Sequence, residues 1–166
     1  KPVWVTLDPT LLLGKKEWKR VEKQPNIDGR YVLVYDLQLN EEIVLLSERI
    51  VWETGYKVVS WSNPRRFSGG IRSFEYEGPA EFLGYVNNAD FILTTSFHGV
   101  VFSVLYNKPF YTIPHTTRGS RMVDLLTSLE LTDRIVYASD DLSTIDYEVD
   151  FEKPLQLLER RKAESL

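Results

Sequence analysis

The sequence has no cysteine, and that absence removes disulfides, zinc–thiolate sites and thiol nucleophiles together. It fits a reducing compartment. Only two histidines occur, His98 and His115, so a histidine-rich metal centre is not expected, and no acidic cluster offers another metal site. No apolar run approaches the roughly 20 residues that a membrane span needs, and Lys1-Pro2-Val3-Trp4 does not open a signal peptide. Positive charge is not in excess. The 20 Lys and Arg against 24 Asp and Glu leave a formal charge of −4, which argues against a generic nucleic-acid binder. No GxGxxG follows the first strand-like run, so NAD binding of the usual kind has no support, and no P-loop occurs. Internal repeats and low-complexity tracts are also missing.

What is present is enough for one domain. The 166 residues are 43% apolar and carry 4 Trp, 9 Tyr and 8 Phe, which rules out disorder and supplies a real core. From Tyr31 onward, strand-length apolar runs alternate with helical patterns. Tyr31–Tyr35 reads as a strand buried on both faces. Asn40 offers an N-cap to a helix whose Ile43, Leu46 and Ile50 share a stripe, with Gly55 as the stop. Further strands are expected at Lys57–Trp61, Phe91–Thr95, Pro109–Ile113 and Arg134–Tyr137. Helices are expected to begin at Pro79, at Gly99 and, capped by Ser120, along Met122, Leu125, Leu126 and Leu129, with a last one over Pro154–Lys162. This order predicts right-handed crossovers and a Rossmann-like, doubly wound parallel sheet of the α/β class. Val3–Leu7 reads as a possible orphan strand, and Gln24–Gly29 as a linker. Trp52 and Trp61 are expected in a core or an interface, and Glu159–Lys162 on a solvated helix face.

In open parallel sheets, ligands bind beyond the carboxyl ends of the strands. That rule selects the loops after Tyr35, Trp61, Thr95 and Ile113, and three of them are unusual in composition. Ser62-Asn63-Pro64-Arg65-Arg66-Phe67-Ser68-Gly69-Gly70 sets paired arginines beside paired glycines, either an anion clamp or a solvated loop. Thr94-Thr95-Ser96-Phe97-His98-Gly99 places hydroxyls and an imidazole where a helix N-terminus begins, a setting that favours anions. There His98 is an anion donor or acid–base group, or else a helix cap or packing residue. Arg118 and Arg121 lie at the start of a helix, where cations are unfavourable unless an anion or a structural carboxylate answers them.

Several of these stretches resemble the polysaccharide pyruvyl transferase family. The likeness is carried by Gly78-Pro79-Ala80-Glu81-Phe82-Leu83, by Ala89-Asp90 to Thr95, and by Ser96-Phe97-His98-Gly99-Val100-Val101-Phe102-Ser103. Lys108-Pro109-Phe110 and Gly119-Ser120-Arg121-Met122-Val123-Asp124-Leu125-Leu126 continue it, and Asp8-Pro9-Thr10-Leu11-Leu12 looks like the segment by which that family leaves its first domain. The resemblance implies two Rossmann-like halves facing each other, similar to GT-B glycosyltransferases. Residues 1–28 would then be the interdomain segment and 29–166 the C-terminal domain, with the N-terminal domain absent.

It further implies transfer of a pyruvyl group from phosphoenolpyruvate to a saccharide as a ketal, in cell-surface polysaccharide biosynthesis. No cofactor beyond that donor is implied, nor any metal. The implied partners are phosphoenolpyruvate, a saccharide acceptor and the N-terminal domain. The implied location is cytoplasmic, at most peripheral to a membrane when full length. His98 would be the catalytic proton donor or phosphate ligand, and Ser96, Gly99, Arg65, Arg66, Arg118 and Arg121 would bind substrate. Some members carry arginine two residues before the histidine, where this chain has Ser96, so another arginine must meet the donor or the donor differs. Two other readings stand beside this one. A nucleotide-sugar glycosyltransferase half is disfavoured because no acidic residue lies between His98 and Asp124. A non-catalytic binding domain in saccharide assembly is mildly favoured by Ser96.

Overall fold

A computed structural model describes residues 6–61, 67, 77–115 and 117–165. Its first elements are a 3-10 turn over Pro9–Leu12 and a short helix α1, Lys15–Trp18. The regular α/β part then runs β1 (Tyr31–Tyr35), α2 (Glu41–Thr54), β2 (Lys57–Ser60), α3 (Pro79–Asn88), β3 (Phe91–Thr94), α4 (Phe97–Tyr106) and β4 (Phe110–Thr112). Helices α5 (Ser120–Ser128) and α6 (Glu152–Ser165) follow, with a 3-10 turn at Thr132–Arg134 between them. The four strands are parallel in the order β2-β1-β3-β4, with Val32 opposite Val58, Val34 opposite Leu93 and Leu93 opposite Tyr111. The Rossmann-like, doubly wound arrangement expected from the sequence is therefore the fold.

Two cores result, because successive strand side chains point to opposite faces. Val32, Val34, Phe91 and Leu93 pack on Ile43, Leu46 and Ile50 of α2. Leu33, Val59, Ile92 and Phe110 pack on the other face with α3, α4, α5 and Leu158 of α6. Helix α2 is bounded as its sequence predicts. The Asn40 side chain accepts from the Ile43 N–H at 3.2 Å, and Gly55 closes the helix at φ 72° with its N–H on the Val51 carbonyl. Such an N-cap is worth about 1 kcal/mol.

Residues 6–28 lie against this domain. Leu7 and Leu11 are buried in the α4 face of the core, and Trp18 meets Phe102 edge-on at 5.3 Å. The Lys23 N–H donates to the Ala80 carbonyl at 2.9 Å, and a Cβ on Gly84 would sit 1.7 Å from the Lys23 carbonyl oxygen. Glycine at 84 is what lets the chain cross α3 this closely.

Several expectations need correction. The fifth strand is reduced to one bridge, Ile135 to Thr112. Arg134 is the reason: its buried guanidinium binds the Asp133 and Asp146 carboxylates and lies over the Tyr111 ring, and the Tyr137 N–H turns back to Asp140. Helix α4 starts at Phe97, two residues early, which puts His98 inside its first turn. Gly119, not Ser120, is the N-cap of α5. Trp61 joins an aromatic group with Tyr35 and Phe82, but Trp52 is 81% exposed, so of the two settings expected for it the core is excluded. Lys162 is buried and paired with Glu159, so the Glu159–Lys162 stretch is not wholly solvated. Residues 3–5 of the expected orphan strand lie outside the described residues, and Thr6 and Leu7 are not in a strand.

Candidate functional site

The chain leaves β1 toward β2 on one side and returns past it to β3 on the other, so the order reverses between β1 and β3. The carboxyl ends of those strands form the crevice where ligands of doubly wound domains bind. Here the crevice is stiffened by a buried carboxylate. Asp36, 1% exposed, accepts from the Thr95 hydroxyl at 3.0 Å, the Gln38 N–H at 2.9 Å and the Asn40 N–H at 2.8 Å. Thr95 Oγ1 in turn accepts from the Leu37 N–H at 2.9 Å. One strand-end carboxylate thus ties the loop after β1 to the turn after β3.

Thr94 completes that turn. Its hydroxyl donates to the Tyr35 carbonyl at 2.9 Å and accepts from the Ser96 N–H at 3.0 Å. Gly99 packs directly on it, since a Cβ there would meet Thr94 Oγ1 at 2.2 Å. The result is a fixed helix start. Ser96 is the N-cap by backbone position, but its hydroxyl caps nothing. The N–H groups of the first turn have no acceptor within the helix, and they favour an anion by about 0.3–1 kcal/mol.

A cleft of about 620 Å³ opens over this helix start. Ser96, His98, Arg118 and Arg121 all line it, so four of the residues singled out in the sequence come together. Gly99 lies behind the turn, where its visible role is close packing on Thr94. Arg65 and Arg66 lie outside the described residues. Arg118 makes no ion pair among the described residues, whereas Arg121 is engaged: its Nη2 lies 2.8 Å from Asp8 Oδ2, and its guanidinium sits 4.1 Å over the Phe97 ring. The structural carboxylate offered as one answer to the Arg121 charge is therefore present.

Asp8 is a residue that sequence reasoning did not place here. Its other oxygen accepts from the Thr10 N–H at 3.1 Å and the Thr10 hydroxyl at 2.6 Å, and stands 3.9 Å from His98 Nε2. Burial works to raise the Asp8 pKa, but the Thr10 bonds, with His98 and Arg121 nearby, outweigh it and hold the carboxyl below its ordinary value. His98 itself is half exposed, with its ring edge-on to Phe97 at 5.5 Å. His115, from the loop after β4, also faces the cleft and accepts the Thr117 N–H at Nδ1. The only sequence signal for Asp8 was the Asp-Pro-Thr opening, typical of a helix-start cap, and for Asp36 a lone acidic residue at a strand end. Among the described residues, no group of three or more His, Asp and Glu side chains is placed to hold a metal ion, and no helix is long and apolar enough to cross a membrane.

Fold and site together define a Rossmann-like domain whose switch point carries a helix N-terminus, two imidazoles and two guanidiniums around one open cleft. The family model described as polysaccharide pyruvyl transferase matches residues 2–117. This chain belongs to that family. The matched span contains Asp8, Ser96, His98 and His115 and stops just before Arg118. No curated protein and no solved structure matches the chain.

Proposed function

We propose that this chain is the donor-binding, C-terminal half of a polysaccharide pyruvyl transferase, which moves a pyruvyl group from phosphoenolpyruvate onto two hydroxyls of a saccharide. The observation that carries the reading is the convergence of Ser96, His98, Arg118 and Arg121 on the one cleft above the start of α4, in a chain of this family. Two guanidiniums, a set of free helix N–H groups and a single carboxylate suit a multiply charged anion.

The chemistry follows from the proton inventory. His98 in its protonated form gives a proton to the methylene carbon of phosphoenolpyruvate, leaving an electrophilic centre at the carbon that bears the phosphate. A first saccharide hydroxyl attacks that carbon, and its proton returns to the neutral imidazole. Phosphate then leaves as the carbon–oxygen bond to it breaks, and a second hydroxyl attacks and gives its proton to the departing phosphate. The helix N–H groups hold the negative charge that builds on the phosphate oxygens. Arg121 contributes field, while its pairing with Asp8 fixes where its guanidinium stands. With Ser96 in place of an arginine, Arg118, which makes no ion pair among the described residues, meets the donor carboxylate. As written, the reaction consumes no cofactor. An N-terminal half would cover the cleft and exclude water, and the reading places the enzyme in the cytoplasm.

The test is a backbone NMR titration with phosphoenolpyruvate, with UDP as control and with His98→Ala and Arg118→Ala variants. Saturable shifts at residues 96–99 and 118–121, weakened in both variants and missing with UDP, are expected. Equal shifts with UDP would instead make this a nucleotide-sugar domain, and no shifts with either ligand would overturn the donor assignment.

A further inference from the structure

A second cavity, of about 380 Å³, opens beside the cleft and shares Phe97 and Arg121 with it. Its volume falls within the roughly 300–1,000 Å³ of small-molecule sites. Leu7, Leu11 and Leu125 give it an apolar floor, and Asp124 of α5 and Arg161 of α6 stand on its walls. Asp8 also faces it, so the carboxylate nearest His98 is reached from this side.

The charge pattern separates the two spaces. In the cleft, Arg121 is answered by Asp8 and Arg118 is left as the excess of positive charge among the described residues. In the second cavity Asp8 and Arg121 neutralise each other, and Asp124 and Arg161 balance in number. Among the described residues, neither Asp124 nor Arg161 makes an ion pair or a side-chain hydrogen bond. An unpaired carboxylate and an unpaired guanidinium over an apolar floor offer acceptors and donors to a ligand that has both and carries no net charge. A pyranose ring has vicinal hydroxyls for the polar walls and C–H faces for the floor.

We propose that this cavity is the acceptor subsite and holds one neutral hexose unit of the saccharide. The Asp124 carboxylate accepts from its hydroxyls and Arg161 donates to its oxygens. Asp8, whose Oδ2 has a lone pair left beyond Arg121, accepts from a further hydroxyl of the same unit. The role as acceptor subsite rests on the donor reading of the neighbouring cleft; the binding itself does not.

The experiment is an NMR titration of this chain with methyl β-D-glucopyranoside, methyl β-D-galactopyranoside and methyl α-D-mannopyranoside, each to tens of millimolar. It is repeated on Asp124→Asn and Arg161→Met, with phosphoenolpyruvate titrated in parallel. At least one glycoside is expected to give saturable shifts at Leu7, Asp124, Leu125 and Arg161, with Kd raised about five-fold in each variant and phosphoenolpyruvate binding unchanged. Phosphoenolpyruvate binding without any glycoside shifts at these residues would overturn the subsite and leave the donor reading intact. Glycoside binding here without phosphoenolpyruvate binding would leave the hexose site standing and overturn the donor reading, and with it the acceptor role. Equal glycoside affinity in wild type and both variants would also overturn the subsite. Both positions are on helix surfaces, and unchanged melting curves verify that the variants are folded.

Discussion

Replacing Gly99 by alanine asks whether that glycine serves substrate or packing. A Cβ at this position would lie 2.2 Å from Thr94 Oγ1, 2.9 Å from Thr94 Cβ and 3.0 Å from Thr94 Cγ2. The first two are closer than a Cβ comes to any neighbour and the third is tight; rotating the Thr94 side chain relieves Oγ1 but not Cβ, so α4 must also move off β3. Rotation would break the bond to the Tyr35 carbonyl and the one from the Ser96 N–H. Net hydrogen bonds are worth about 0.5–1.5 kcal/mol each, and overpacking of a closed core costs about 1–3 kcal/mol. Gly99→Ala is therefore expected to cost about 2–3 kcal/mol, or roughly 4–12 °C in Tm for a domain of this size. Thr94→Ala alone removes both bonds and costs about 1–2 kcal/mol. In the double variant the closest obstruction, Oγ1, is gone, as is Cγ2. The combined loss should then fall short of the sum by more than about 1 kcal/mol. Equilibrium urea unfolding of the four proteins measures this cycle. Additive losses, or a Gly99→Ala variant within about 0.5 kcal/mol of wild type, would refute the packing argument and return Gly99 to the ligand.

Two more outcomes follow from the N-terminal segment. Asp8→Asn loses the charge that anchors Arg121 and weakens the Thr10 cap, so it should cost about 1 kcal/mol at neutral pH. Because the folded Asp8 pKa lies below its ordinary value, the wild-type advantage is complete above about pH 5 and is lost as the pH falls through the lowered folded value; unfolding at several pH values measures it, and an advantage that grows on acidification would contradict the assignment. Gly84→Ala should push the Lys23 carbonyl off α3, seen as faster amide exchange at Lys23 with little change at β1 or β3.

The sheet was legible because its strands are short β-branched and aromatic runs bounded by turn residues, and helix α2 because Asn40 and Gly55 mark both ends locally. What escaped was set by distant partners. Arg134 looks like the start of a strand until Asp146 and Tyr111 are brought to it. Asp8 lies 113 residues from Arg121 in the chain, and nothing in its neighbourhood announces the pairing. The helix start was misjudged by two residues because Phe97 and His98 carry little helical preference, and the Thr94–Ser96 bond decides the matter. His98, Ser96, Arg118 and Arg121 were found by position relative to strand ends, a rule of topology and not of composition. Gly99 was found by the same rule, yet its neighbour across the turn gives it a packing task.

The tie made by Asp36 has a consequence for how a ligand would be received. Two loops that in many crevices close around a guest are here already joined, with Thr95, Gln38 and Asn40 anchored on one carboxylate. The entropy of ordering them is lost when the chain folds, not when a ligand arrives. The receiving surface is thus a rigid die: its imprint is set on folding, and a ligand must adapt to that shape.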